Sequence, residues 1–141
     1  MPTGRIILFG ATGYTGRLVA DALVKRGAKP VLAARSAETL TELAAELGGL
    51  ETAVADVSRP ETVRVLVQQG DVLVSTVGPF LRWGGAALDA AINAGALYLD
   101  STGEPPFIRE VFGEIGKLAS FVIVSAFKVG RLPRIRAAVR T

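Results

Sequence analysis

Along this chain, short and almost wholly apolar runs alternate with longer stretches in which apolar residues recur every three or four positions. Arg5-Ile-Ile-Leu-Phe9 closes at Gly10 and reads as a strand buried on both faces. From residue 14 to 26, Leu18, Val19, Ala22 and Leu23 fall at helical spacing, and Gly27 stands where a helix ends. Residues 29–34 read as a second strand. Ser36 can cap a helix that reaches Leu47, with Leu40, Leu43, Ala44 and Leu47 on one face and Gly48-Gly49 as the stop. Residues 50–55 form a third strand. Ser58-Arg-Pro-Glu61 predicts a helix start, with Pro60 at an early position and Glu61 in capping-box register, and that helix ends near Gly70.

Residues 71–76 give a fourth strand, broken by Gly78-Pro79. A helix follows over 85–93 and stops at Gly95, then a fifth strand over 96–100. Pro105 and Pro106 open a helix to about Leu118, and residues 121–125 form a sixth strand. This alternation predicts an α/β fold, a doubly wound parallel six-stranded sheet covered on both faces. The natural strand order is 3-2-1-4-5-6, with a ligand crevice at the carboxyl ends of strands 1 and 4.

Composition sharpens this picture. At 141 residues, half of them apolar and 21% charged, the chain suits one globular domain and leaves no room for a second. The expected division is a domain over 1–127 and a tail over 128–141. The net charge of +3 is uneven: Lys128, Arg131, Arg134, Arg136 and Arg140 lie in that tail with no acid. Residues 1–127 hold eleven basic and thirteen acidic groups. A short terminal basic run is not the basic face with groove-reading elements that nucleic acid needs, so no nucleic-acid partner is expected. Cysteine and histidine are both absent. Disulfides, thiolate or imidazole metal sites, a Cys nucleophile and a Ser-His-Asp triad are therefore excluded within this sequence, and no metal is expected. No apolar run reaches the ~18 residues of a membrane span, and the N-terminus reads as lacking a signal peptide, which makes the cytoplasm the expected location.

The chemistry concentrates in Gly10-Ala11-Thr12-Gly13-Tyr14-Thr15-Gly16, at a strand-to-helix turn. Gly10 permits the tight turn, Gly13 lets the backbone approach a pyrophosphate, and Gly16 permits close packing of the first helix. The amides around Tyr14 and Thr15 can then face phosphates, aided by the helix dipole. The end of strand 2 selects the dinucleotide. An NAD site places an acid there for the ribose 2′-hydroxyl, whereas this chain has Ala33-Ala34-Arg35-Ser36. A guanidinium and a hydroxyl suit a 2′-phosphate, so NADP is the expected cofactor. Asp56 and Val57, after strand 3, either border the adenine or belong to a turn. Thr76-Val77-Gly78-Pro79 lies where a nicotinamide ribose belongs. Asp100-Ser-Thr-Gly-Glu104 gathers two carboxylates and two hydroxyls after strand 5, for substrate handling or, as the stronger expectation, for capping the helix that Pro105 opens. Phe80 and Trp83 flank the same crevice. No catalytic residue is assigned.

Four stretches together, 10–16, Ala34-Arg35-Ser36, Thr76-Val-Gly-Pro-Phe80 and Tyr98-Leu-Asp-Ser-Thr-Gly-Glu-Pro-Pro106, resemble the NADP-binding domain of the saccharopine dehydrogenase-like oxidoreductases. That broad family includes trans-acting enoyl reductases of lipid synthesis. The resemblance covers about residues 4–127. It implies a Rossmann domain, a nicotinamide cofactor and hydride transfer at the loops after strands 4 and 5. Family members typically continue after strand 6 with a Gly-aromatic-Asp stretch and a second domain. Here Ala126-Phe127 is followed by Lys128-Val-Gly-Arg-Leu-Pro-Arg. The expectation is a truncated or frame-shifted member, or a natural stand-alone cofactor domain, whose hydride acceptor is an unidentified small molecule held by a missing domain or partner. The alternative is a non-catalytic redox sensor that holds NADP. An active short-chain dehydrogenase is excluded, because its chemistry needs Lys four residues after Tyr, and Tyr14 and Tyr98 are followed there by Leu18 and Thr102. An exposed sheet edge at strand 6 and the Phe80/Trp83 region predict a homo-oligomer.

Overall fold

A computed structural model describes residues 4–115. Its elements are β1 (Ile6–Phe9), α1 (Tyr14–Lys25), β2 (Val31–Ala34), α2 (Ala37–Glu46), β3 (Thr52–Val54) and α3 (Pro60–Arg64). There follow β4 (Val72–Ser75), α4 (Phe80–Trp83), α5 (Gly85–Ala94), β5 (Leu97–Asp100) and α6 (Pro105–Ile115). The strands form one parallel sheet in the order β3-β2-β1-β4-β5. The described sheet thus has five strands rather than the expected six; the sixth, over 121–125, and the tail lie outside the described residues. Among the described residues no helix is long and apolar enough to cross a membrane.

The central strand shows why its run is uniformly apolar. Ile7 and Phe9 point into a core shared with Val63, Leu88 and Val111, while Leu8 points into a second core with Ala20, Leu40 and Leu43. Successive side chains on a strand face opposite sides, so a strand covered by helices on both needs no polar positions. Each fully buried Leu or Phe contributes about 2 kcal/mol of transfer free energy.

The helix boundaries follow local chemistry. Ser36 Oγ accepts from the Thr39 amide at 3.3 Å, as a helix N-cap should. Gly27, at φ +83°, takes the left-handed position just past α1. The expected third helix is cut to five residues, with Arg59 at its N-cap and no side-chain cap. Ser58 lies one residue ahead of that N-cap, in a turn where both its amide and its hydroxyl donate to Asp56 Oδ1, at 2.9 and 2.8 Å. The α4 helix was not expected. It packs through Phe80, whose ring lies 5.7 Å from that of Phe107.

Two close contacts hold the strand edges. A Cβ on Gly16 would fall 2.0 Å from the Gly10 carbonyl oxygen, so α1 lies directly on the loop that precedes it. At the opposite edge of the sheet, buried Asp71 accepts from the Arg5 amide, the Arg5 guanidinium and the Gln68 amide, each at 2.9 Å. Burial opposes its ionisation. The Arg5 side chain and the two amides outweigh burial and hold the carboxyl below its ordinary value.

Two outcomes follow. Gly16→Ala destabilises the chain by about 3 kcal/mol in urea denaturation, because the obstacle is backbone rather than a side chain that can swing away. Asp71→Asn costs about 2 kcal/mol at neutral pH. A depressed native carboxylate stabilises above its unfolded value, so the gap between wild type and Asp71→Asn is full above about pH 4 and closes as pH falls below it.

Candidate functional site

Parallel strands leave their carboxyl ends, and the loops that follow, on one edge of the sheet. There the structure forms a cleft of about 400 Å³. Phe9, Gly10, Thr12 and Gly13 line it from the end of β1, and Ala34, Arg35 and Ser36 from the end of β2. Asp56, Val57 and Ser58 follow β3, Thr76, Val77 and Gly78 follow β4, and Trp83 comes from α4.

The glycine loop is pinned from two sides. The Gly10 and Ala11 amides both donate to the Ala33 carbonyl, at 2.9 and 3.1 Å, which ties the turn to β2. Thr76 Oγ1 lies 3.1 Å from the carbonyl oxygens of both Phe9 and Gly10, which ties it to β4. Gly10 has φ +86°, and a Cβ there would fall 2.7 Å from Thr76 Oγ1 and 2.9 Å from Val77 Cγ2. Both its backbone angle and its surroundings therefore call for glycine.

Gly13 differs. It has ordinary extended geometry, and the nearest atom to a Cβ there would be the Gly10 oxygen at 3.5 Å. The protein itself does not need glycine at 13. Gly13 is also the N-cap of α1 and provides no side-chain cap. The first-turn amides of a helix have no partner within the helix, so those of Tyr14 and Thr15 are open to an anion from outside. This bare helix start, a cleft of ligand size and an exposed Arg35 at its rim fit a dinucleotide phosphate.

Ten of the expected site residues line the cleft: Gly10, Thr12, Gly13, Arg35, Ser36, Asp56, Val57, Thr76, Val77 and Gly78. Five do not. Ala11 is fully buried with its amide engaged, and Gly16 is buried under the loop. The Tyr14 side chain is 83% exposed and Thr15 is exposed, so these two can contribute only through backbone groups. Pro79 is exposed at the start of α4, after a cis Gly78-Pro79 bond.

The two readings of Asp56 divide between its surroundings. Its Oδ1 is the acceptor of the Ser58 turn. The Ser58 amide and then the Ser58 hydroxyl hold the carboxyl below its usual value, with Arg35 and Arg59 adding to the effect. The spacing Asp56-Val-Ser58 was the available sign of that turn. Phe9, Ala34 and Ser58 also line the cleft and were not among the expected site residues, although each adjoins one or ends the strand before one.

The Asp100–Glu104 stretch does not reach the cleft. Ser75, Asp100 and Thr102 are buried, and Asp100 Oδ1 accepts from the Thr102 amide at 3.0 Å. Tyr98 Oη and Asp100 Oδ2 are buried without a partner in full hydrogen-bond geometry, though Asp100 and Ser75 lie near enough to the hydroxyl to bear on its acidity. Burial pushes both acids up, and for Tyr98 the neighbouring Asp100 charge adds to it. Direct substrate handling by Asp100 is not supported. The Glu104 carbonyl takes the first bond of α6, from the Ile108 amide at 3.0 Å, but its side chain caps α4 instead. Its carboxylate accepts from the Phe80 and Leu81 amides, across 24 and 23 residues of sequence.

Comparison with known proteins gives the same fold and names a family. The chain is similar to the trans-acting enoyl reductase of Mycobacterium leprae, with 39% identity over 110 residues. That of Mycobacterium ulcerans matches at 38% over 110 residues. Each match covers 74% of this chain and 26% of the relative, so the chain spans about a quarter of the length of the curated relatives it matches. Among solved structures, the apo saccharopine dehydrogenase (L-Glu forming) of Saccharomyces cerevisiae superposes with a TM-score of 0.69 at 20% identity. It covers 86% of this chain and 26% of that one. The triphenylmethane reductase of Citrobacter sp., complexed with NADP(H), gives 0.60 at 21% identity over 79% of this chain and 44% of its own. These two likenesses show the fold. The model of the saccharopine dehydrogenase NADP binding domain matches residues 6–130, nearly the whole chain, and the chain belongs to that family.

Proposed function

We propose that this chain binds NADP(H) in the cleft and is the cofactor-holding part of an oxidoreductase. The observation that carries this reading is the uncapped start of α1 at Gly13, open to the cleft at a position where the protein has room for a side chain and carries none. The Tyr14 and Thr15 amides would hold the pyrophosphate. Arg35 would pair with the 2′-phosphate, and Ser36 keeps its hydroxyl proton for the same group, since its oxygen is the acceptor toward Thr39. No acid stands at the end of β2 to favour a free 2′-hydroxyl. Val57 would pack on the adenine and the backbone at Val77 and Gly78 would border the nicotinamide ribose.

When bound, the nicotinamide supplies hydride; the protein supplies binding and orientation. Of the cleft side chains, the Ser58 hydroxyl already donates to Asp56, whose carboxyl is held below its usual value, so neither group of that turn is poised to give up a proton. The family and the names of the relatives support hydride transfer to a substrate held by polypeptide beyond this domain. The purified chain is therefore expected to bind NADPH yet oxidise it with enoyl, imine or carbonyl acceptors only when supplemented with a substrate-binding partner. Steady oxidation by the chain alone would overturn that division of labour.

Calorimetric titration tests the cofactor. NADPH binds at least tenfold more tightly than NADH, and Arg35→Ala removes that preference, since a charged phosphate contact contributes about 1.5–3 kcal/mol. Gly13→Val keeps the fold at a cost of about 1 kcal/mol for the lost glycine N-cap and abolishes NADPH binding. A Gly13→Val chain that binds as wild type would refute the phosphate site.

A further inference from the structure

The α4 helix has four residues, too few to hold itself together. Its N-cap, Pro79, offers no side-chain cap. The two amides that a cap would serve, those of Phe80 and Leu81, instead donate to Glu104 Oε1 at 2.8 Å and Oε2 at 2.7 Å. Glu104 is itself held, because its amide donates to Thr102 Oγ1 at 3.1 Å and the Thr102 amide donates to Asp100. One ladder of hydrogen bonds thus runs from the end of β5 to the start of α4. Behind α4, a Cβ on Gly84 would fall 2.5 Å from the Phe107 ring, so the helix lies tight against α6.

The far end of α4 is Trp83, which is half-buried and lines the cleft with Val57. Both residues also line the adjoining hollow beyond it, which places them together at one end of the cleft. The Arg82 guanidinium sits 4.7 Å from the centre of the Trp83 ring. The indole and Val57 offer apolar surface for a flat ring at the end of the cleft that Asp56 also lines.

We propose that Glu104 is a positioning residue: by holding both leading amides of α4 it fixes Trp83 as an apolar wall, with Val57, for the purine base of an adenine nucleotide. The identity of the base rests on the cofactor reading above. The fixing of Trp83 does not.

Trp83 is the chain's single tryptophan, so its fluorescence reports this wall directly. In the full wild-type chain, hydrogen exchange at the Phe80 and Leu81 amides is slow; fast exchange there would overturn the clamp without any mutation. Glu104→Gln keeps the shape of the side chain but turns an NH₂ toward one of the two amides. In the free protein it shifts Trp83 emission to the red and raises acrylamide quenching. It weakens adenosine 2′,5′-bisphosphate binding by about tenfold and leaves nicotinamide mononucleotide binding unchanged. Glu104→Asp recovers part of the loss, and Glu110→Gln, an exposed carboxylate on α6, changes neither readout. Equal loss of both half-ligands with a lowered melting temperature and unaltered Trp83 quenching would mean a general structural role and would overturn the proposal. If neither half-ligand binds the wild type, the cofactor reading fails, while quenching in the free protein still decides whether Glu104 positions the indole.

Discussion

Everything at the functional edge depends on one steric constraint: the backbone of α1 must touch the backbone of the loop that leads into it. With hydrogen at Gly16, α1 can lie on the Gly10 carbonyl. With Gly10 at positive φ, the loop can turn within the space left by Thr76 and Val77. The Ala33 carbonyl and the Thr76 hydroxyl then fix the turn to the strands on either side. A helix start held this rigidly presents its free amides in a fixed direction, and their partial positive charge is not shared with any side-chain cap. The three glycines therefore do different things. Two satisfy the fold, and Gly13 leaves room that the fold does not use.

Polar groups within the sheet are arranged with the same economy of position. Asp71 and Asp100 are both buried, at the amino end of β4 and the carboxyl end of β5, yet their acidities shift in opposite directions. Asp71 is met by a guanidinium and two amides, which together exceed the cost of burial. Asp100 is met by one amide, and burial prevails. The first locks Arg5 and the start of β1 against β4. The second begins the ladder through Thr102 to Glu104. That ladder joins the loops after β4 and β5, whose strands are neighbours, at the edge where a ligand would sit.

The sequence made much of this legible. Uninterrupted apolar runs marked strands with two covered faces, and glycines at 10, 27, 48 and 95 marked the turns, each at positive φ in the structure. The glycine loop and Arg35 marked the edge where the cleft lies, because a strand-to-helix turn of this kind is a local feature and depends little on distant partners. Reading failed where a polar residue had two candidate partners. Ser58 has the spacing of a cap, but the helix starts one residue later and Ser58 joins a turn with the carboxylate two residues back. Glu104 stands one residue before a proline-led helix, but its carboxylate is taken by amides from another turn.

The sequence by itself thus determined the order of the five described strands, the parallel sheet and the edge that carries the cleft, since these follow from periodicity and from glycine's missing side chain, which are local properties. Only the tertiary structure decided that α4 exists, that Thr76 stitches the glycine turn, that Ala11 and Asp100 face inward, and that Trp83 lines the cleft while Phe80 is buried. Those outcomes depend on which groups from residues far apart in the chain arrive within hydrogen-bond or van der Waals reach, and spacing along the sequence carries no record of that.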